Sequence, residues 1–422
     1  MSDNTSYPRM VRIRQQFPAE QVEDIPSEVE SQLSRLQLGE KVRAGETVAI
    51  TVGSRGIANI AVITKGIVDH IKALGATPFL VPAMGSHGGG TAAGQRGILE
   101  GYGVTEEAMG AEIRASMETV IVETTPQGIP VHFDKHASLA DHVIVAGRVK
   151  PHTGFVGEIE SGLHKMMLIG LGKHEGAKIY HRAIRDFSFI EIIRAVADVV
   201  IKRCKVVAGV AIVENAYDET GRIEAVAPEQ FFDRERELLT LAKQWLPRLP
   251  ITPVDLLIID RIGKDISGTG LDTNVVGRKF IHHEASDRDE VNCKRIFVRG
   301  LTQKSKGNAT GIGLAEFTTK RAVDQIDFDI TRTNCITGGH PEGAMIPIAY
   351  ESDRDAIAAA ISTVGMVEVA DSRIVQIADT LHLAELLVSE SCMKELEGND
   401  HIEIIDGPHA MAFDANGNIA DV

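Results

Sequence analysis

The chain is short of several things that would have fixed its class at once. Its 422 residues contain no run of the ~18 apolar residues that a membrane-spanning helix needs. The opening stretch MSDNTSYPRMVRIRQQFP has no apolar core, so no secretory signal is expected there. Cysteine is scarce: Cys204, Cys293, Cys335 and Cys392 are scattered, with no CxxC pair. That disfavours a zinc ribbon or an iron–sulfur cluster and suggests a reducing, cytoplasmic setting. Basic residues are outnumbered, 44 Lys and Arg against 59 Asp and Glu, for a net charge of −15. A general nucleic-acid binder needs the opposite balance. The single Trp245 follows a charged helical stretch and reads as packing. Familiar catalytic signatures are missing too. No GxGxxG opens a helix after the first strand, which disfavours a nicotinamide-dependent dehydrogenase. There is no Walker Lys-Ser/Thr, no HExxH and no GxSxG elbow.

What is present is an α/β pattern. Hydrophobic and charged fractions of 43% and 24% are those of a globular protein, and the length suits two or three domains. ETVAITVG reads as a buried strand, Ala58 to Gly75 as a helix, TPFLVPAMG as a second strand and GQRGILEGYG as a short helix. This rhythm implies a mainly parallel sheet. TVIVETT and HVIVAGRVK read as further strands, FIEIIRAVADVVIKRC and PEQFFDRERELLTLAKQWL as helices, and VVAGVAIVENA as a strand. LPRLPITPVD marks a boundary. It suggests an N-terminal α/β domain over 1–250 and a C-terminal α/β domain over 251–422, with a site in the cleft between them. The second domain would contain strands at LLIIDRIG, RIFVRGLT and SRIVQIAD, and helices near LAEFTTKRAVDQI and DAIAAAIST.

Chemistry concentrates in Gly147 to His181. That run packs His152, His164, His174 and His181 with Lys150, Lys165, Lys173 and Lys178 around seven glycines. Stable cores do not need such a mixture, and dense glycine brings backbone close to something other than side chains. Imidazole and amine supply metal ligation, proton transfer and anion binding. GSHGGGT places His87 on a strand-end loop; on its own it is a weak phosphate signature, and a roleless turn is the competing reading. GSRG places Arg55 at another strand end, where its planar fork suits a carboxylate. GSRG, GSHGGGT and KPHTGF each follow a strand, so the three loops are expected at one sheet edge, where ligands of open α/β sheets sit. His282 and His283 lie in a charged run and read as solvated.

Together these stretches resemble the nickel-dependent lactate racemase family. The resemblance rests on Arg55 in GSRG, His87 in GSHGGGT, His152 in PHTGF, Lys165 in SGLHK, and His181 sixteen residues beyond that lysine. It implies a nickel-pincer nucleotide, a nicotinic-acid-derived mononucleotide with two sulfur arms and a metal–carbon bond. By resemblance, His87 and His152 match an acid–base pair, Lys165 the lysine that can tether the cofactor, and His181 the protein's nickel ligand. Arg55 matches a contact to the substrate carboxylate and Phe155 the aromatic near the cofactor ring. Ser86 and Gly88 flank His87 and are expected beside the cofactor, and Lys264 is expected to contact substrate. There are departures. The interval from His152 to Lys165 is longer than in the lactate enzymes, His164 stands where arginine is usual, and the acidic residue before GSRG is replaced by Val52-Gly53. RIGKDISGTGLDTNVVGR lacks the Gln and Lys that clasp lactate, which suits a longer or more hydroxylated 2-hydroxy acid.

The activity implied is racemisation or epimerisation of a 2-hydroxy acid, an isomerase reaction. The hydrogen on the hydroxyl-bearing carbon would leave as hydride, with the two histidines exchanging the hydroxyl proton on opposite faces. Enzymes that make the pincer cofactor would be needed in the same cell; no nucleic-acid or membrane partner is expected. Two other readings stand beside this one. One is a metal-dependent hydrolase with Glu158 or Glu175 among its ligands, or a dehydrogenase; the other is a non-catalytic ligand- or cofactor-binding relative.

Overall fold

The computed structural model describes residues 7–54, 56–183, 186–279 and 291–422; for His181 it describes the backbone alone. Among these, no helix is long and apolar enough to cross a membrane. The chain forms two compact units. One comprises 18–152 and 156–246, the other 7–17, 153–155 and the described part of 247–422. The change near Pro247 falls in the LPRLPITPVD stretch.

Strand β1 (Arg9–Gln15) belongs to the second unit's sheet, although the sequence suggested the first domain. The reason is local. Val11 and Ile13 alternate into that core, and the strand pairs antiparallel with both of its neighbours there. Residues 153–155 likewise group with the second unit.

The first unit is built on β2 (Thr47–Val52), β3 (Thr77–Pro82), β4 (Glu112–Ile113), β7 (His142–Arg148), β8 (Val206–Glu214) and β9 (Thr220–Val226). Their order is β4-β3-β2-β7-β8-β9, parallel except for β9. The inner strands are buried along nearly their whole length, as expected of a sheet covered on both faces. The helix Ile60–Ala73 buries Ile60, Ile63, Ile67, Val68 and Ile71 on one stripe. Phe189–Arg203 begins at a capping box between Ser188 and Glu191. TVIVETT is a strand, β5 (Thr119–Thr124), but it lies outside the parallel sheet. It forms a two-stranded antiparallel ribbon with β6 (Pro130–Asp134) because a tight turn closes Gly128 N onto Thr125 O at 2.9 Å.

The second unit contains β10 (Val254–Ile259), β11 (Cys293–Val298), β12 (Phe317–Thr319), β13 (Ile348–Tyr350), β14 (Ile374–Ile377), β15 (Glu385–Ser389) and β16 (Ile402–Ala410). The order β13-β12-β11-β10-β14 is parallel, and β15, β1 and β16 extend it antiparallel. The LAEFTTKRAVDQI stretch is β12 followed by the one-turn helix Lys320–Val323, rather than one helix, because Thr319 caps a new start there. Past the strand ends, buried Arg299 meets Asp260 at 2.5 Å and Asp353 at 2.9 Å.

Candidate active site

The site is assembled from strand ends. β3, β2 and β7 are adjacent and parallel, so their following loops emerge at one edge. Across that edge lies the π-helical segment Met166–Gly170. Its approach is close because glycines stand beneath it. A Cβ on Gly147 would lie 2.6 Å from Met166 Cγ, and one on Gly85 would lie 3.0 Å from Ile169 Cγ2. Lys165, half-buried, immediately precedes this segment. The three strand-end loops and the lysine turn therefore share one edge of one sheet.

His87 sits in the loop after β3, flanked by half-buried Ser86 and Gly88. Ser54 Oγ, at the end of β2, lies 2.5 Å from His87 Nδ1, and Tyr102 Oη donates to Ser54 O at 2.6 Å. Gly88 has φ +67°, and a Cβ there would meet Gln95 N at 2.6 Å, so this turn needs glycine. The GSRG turn is tied to the sheet by Glu214, which accepts from Ala58 N at 2.7 Å and pairs with Arg148. Arg55 itself lies outside the described residues, as do His282 and His283.

His152 follows β7 and is half-buried, with its ring 6.4 Å from that of Phe189. Its loop is organised by Glu160, which is 1% exposed. This carboxylate accepts from His152 N at 2.7 Å and Gly157 N at 3.1 Å, and pairs with Lys243 at 2.5 Å. Ahead of Lys165, His164 is buried. Glu235 Oε2 accepts from its backbone N at 3.1 Å and lies 3.0 Å from its Nδ1. The departure from arginine at 164 is thus matched by a buried carboxylate. His181 lies in the helix Lys173–Ala183, with its side chain outside the described residues.

Two predicted residues stand in the second unit. Phe155 is half-buried there, next to Thr153, whose carbonyl accepts from Thr273 Oγ1 at 2.6 Å. Lys264 donates from Nζ to Gly268 O at 2.5 Å, closing its own loop. In the same unit His340 is pushed below its ordinary pKa by burial, with the Lys264 charge adding to the effect.

Sequence reasoning missed Glu160, Glu235, Gln95, Asp134 and the role of Lys173. Lys173 and Asp134 are fully buried and 3.0 Å apart. Lys173 also has a φ of +54°, a left-handed conformation that costs a non-glycine residue about 1–2 kcal/mol. Such strain clusters at functional sites. The usable signal was a lysine opening a helix inside a glycine-rich run. Its buried partner came from a distant strand that sequence alone did not connect.

Among the described residues no three His, Cys, Asp or Glu side chains cluster to hold a metal ion. All four thiols are buried, and burial pushes Cys204 and Cys293 up to about 12. Lys165 precedes the tightly packed 166–170 segment, and the turn at Gly88 requires glycine.

Residues 8–188 match the family model described as the lactate racemase N-terminal domain. The chain is similar to that domain over this stretch. It also resembles the lactate racemase apoprotein from Thermoanaerobacterium thermosaccharolyticum. There the TM-score is 0.50 and the identity 13%, over 88% of this chain and 98% of that one. A protein from Thermotoga maritima matches with the same score and identity, over 78% of this chain and 83% of its own. At that identity the likeness concerns the fold. No curated protein sequence matches the chain.

Proposed function

We propose that this lactate-racemase-like protein is a racemase or epimerase of a 2-hydroxy acid, acting with a nickel-pincer nucleotide. The observation that carries the reading is that Ser54, His87 and the Lys165 turn occupy one edge of a parallel sheet within the stretch matching the lactate racemase domain. Lys165 would hold the cofactor and His181 would supply the chain's nitrogen to its nickel. The cofactor's contribution is a reversible acceptor for the hydrogen on the hydroxyl-bearing carbon.

The residues of the chain bind, orient and move protons. Arg55 is proposed as the carboxylate contact, since its fork binds two oxygens at once. His87 Nδ1 is engaged by Ser54, so proton exchange with the substrate hydroxyl falls to Nε2. His152 does the same work for the opposite enantiomer, on a loop whose backbone Glu160 fixes. Either enantiomer must meet a base, which is why two histidines are needed. The absent lactate clasp in RIGKDISGTGLDTNVVGR suits a substrate larger or more hydroxylated than lactate.

The test is inversion of a single-enantiomer 2-hydroxy acid in D2O by cofactor-loaded protein. The reading expects inversion with the original hydrogen kept on carbon 2. Solvent deuterium at that carbon would indicate direct proton abstraction and overturn the hydride route. No inversion across a panel of such acids, with nickel bound, would leave a cofactor-binding relative without turnover.

A further inference from the structure

We infer that Lys173 is a positioning residue that holds the His87 loop in place from beneath. This rests on the reading of His87 given above. The ammonium has three donors, and three acceptors surround it. They are Pro82 O at the end of β3, Gln95 Oε1 at 3.5 Å and Asp134 Oδ2 at 3.0 Å. Each acceptor comes from a different element: the strand that leads into the His87 loop, the helix that follows it, and the end of β6.

Gln95 carries the connection upward. Fully buried, it donates from Nε2 to Gly85 O at 2.8 Å and to His87 O at 3.4 Å. One buried cation thereby fixes both ends of the 82–87 segment. It also stands at the first residue of the helix whose backbone includes His181, in a strained left-handed conformation. A purely structural role would be met as well by apolar side chains, since buried ion pairs are often replaced by them without loss of stability. A hydrocarbon cannot donate to Pro82 O or to Gln95, and those bonds are what set the position of His87. Burial lowers the Lys173 pKa and Asp134 opposes that shift, in keeping with a pair held together in a dry site.

The experiment compares the full-length, cofactor-loaded protein with the double variant Lys173→Met/Asp134→Asn. This removes both charges, and the side-chain amide oxygen introduced in place of the carboxylate can still cap the 135–139 helix. The expected result is a native-like circular dichroism spectrum, unchanged nickel per chain and nearly unchanged KM. In the same variant kcat should fall ~100-fold, the size of loss that a misplacement of about 1 Å produces. Amide hydrogen exchange over 83–91 should rise at least ~10-fold, a readout that needs no activity. Gln95→Leu, which keeps the Lys173–Asp134 pair, should move kcat and exchange in the same direction, and it serves if the double variant fails to fold. Wild-type kcat together with wild-type exchange in a folded variant would overturn the proposal. If the wild-type protein inverts no 2-hydroxy acid, the functional reading fails on its own, and exchange over 83–91 still decides whether Lys173 holds that loop.

Discussion

At the residue scale, the proposed proton transfers fall to two imidazoles and the groups that aim them. His87→Ala and His152→Ala should each reduce inversion by ~10²- to 10⁴-fold, the usual worth of a positioned acid–base group. Nickel should stay bound in both, because neither is the proposed ligand. His181→Ala should release nickel, read by elemental analysis. Ser54→Ala removes the partner of His87 Nδ1 and should lower kcat with little change in KM. His152, His87 and Lys165 were legible as candidates because glycine-rich loops with imidazole and amine stand out against core sequence. Their supports were not. Glu160, Glu235 and Gln95 look like ordinary surface residues in sequence, yet all three are buried. Only the folded chain brings their partners, up to 83 residues away, into reach.

At the element scale, the turn before Lys165 is the sensitive point. Gly162 has φ +117°, and a Cβ there would lie 2.8 Å from Glu235 Cδ. Gly162→Ala should therefore destabilise the protein by about 1–3 kcal/mol through crowding and strain, checked by the shift in the unfolding midpoint. It should also disturb Lys165, read as a loss of bound cofactor. Strands such as β2, β3 and β8 were readable because a strand buried on both faces is a continuous apolar run. β5 was readable as a strand, but its pairing was not, since partner choice depends on the turn at Gly128. The π-helical segment left no signature. MMLIG reads as helix or strand until the glycines beneath it fix its approach.

At the scale of the whole molecule, the chain passes between the two units more than once. β1 lies in the second sheet because pairing with β15 and β16 decides membership, and single-strand periodicity contains no record of that. The second unit hangs on Arg299, which neutralises Asp260 and Asp353 in a nearly dry setting. Arg299→Leu leaves buried Asp260 without its ion-pair partner, while Asp353 keeps Arg321, and should cost about 3–5 kcal/mol, measured by denaturant unfolding. The buried thiols set a limit at alkaline pH. Cys204 and Cys293 are pushed up to about 12, against roughly 8.5 when exposed. Above that lower value the unfolded chain sheds protons that the folded chain keeps. Their contribution is thus full below pH ~8.5 and is lost as pH rises toward about 12. Unfolding midpoints between pH 7 and 11 should fall on that side, and Cys293→Ala should flatten the fall.

The measurement that goes most directly to the central claim is chiral analysis of 2-hydroxy acids after incubation with protein co-expressed with the cofactor-making enzymes. The His87→Ala/His152→Ala double variant would be run beside it. At least one single enantiomer should be converted to a mixture by the wild-type protein and left unchanged by the double variant. Inversion at the wild-type rate by the double variant would contradict the account.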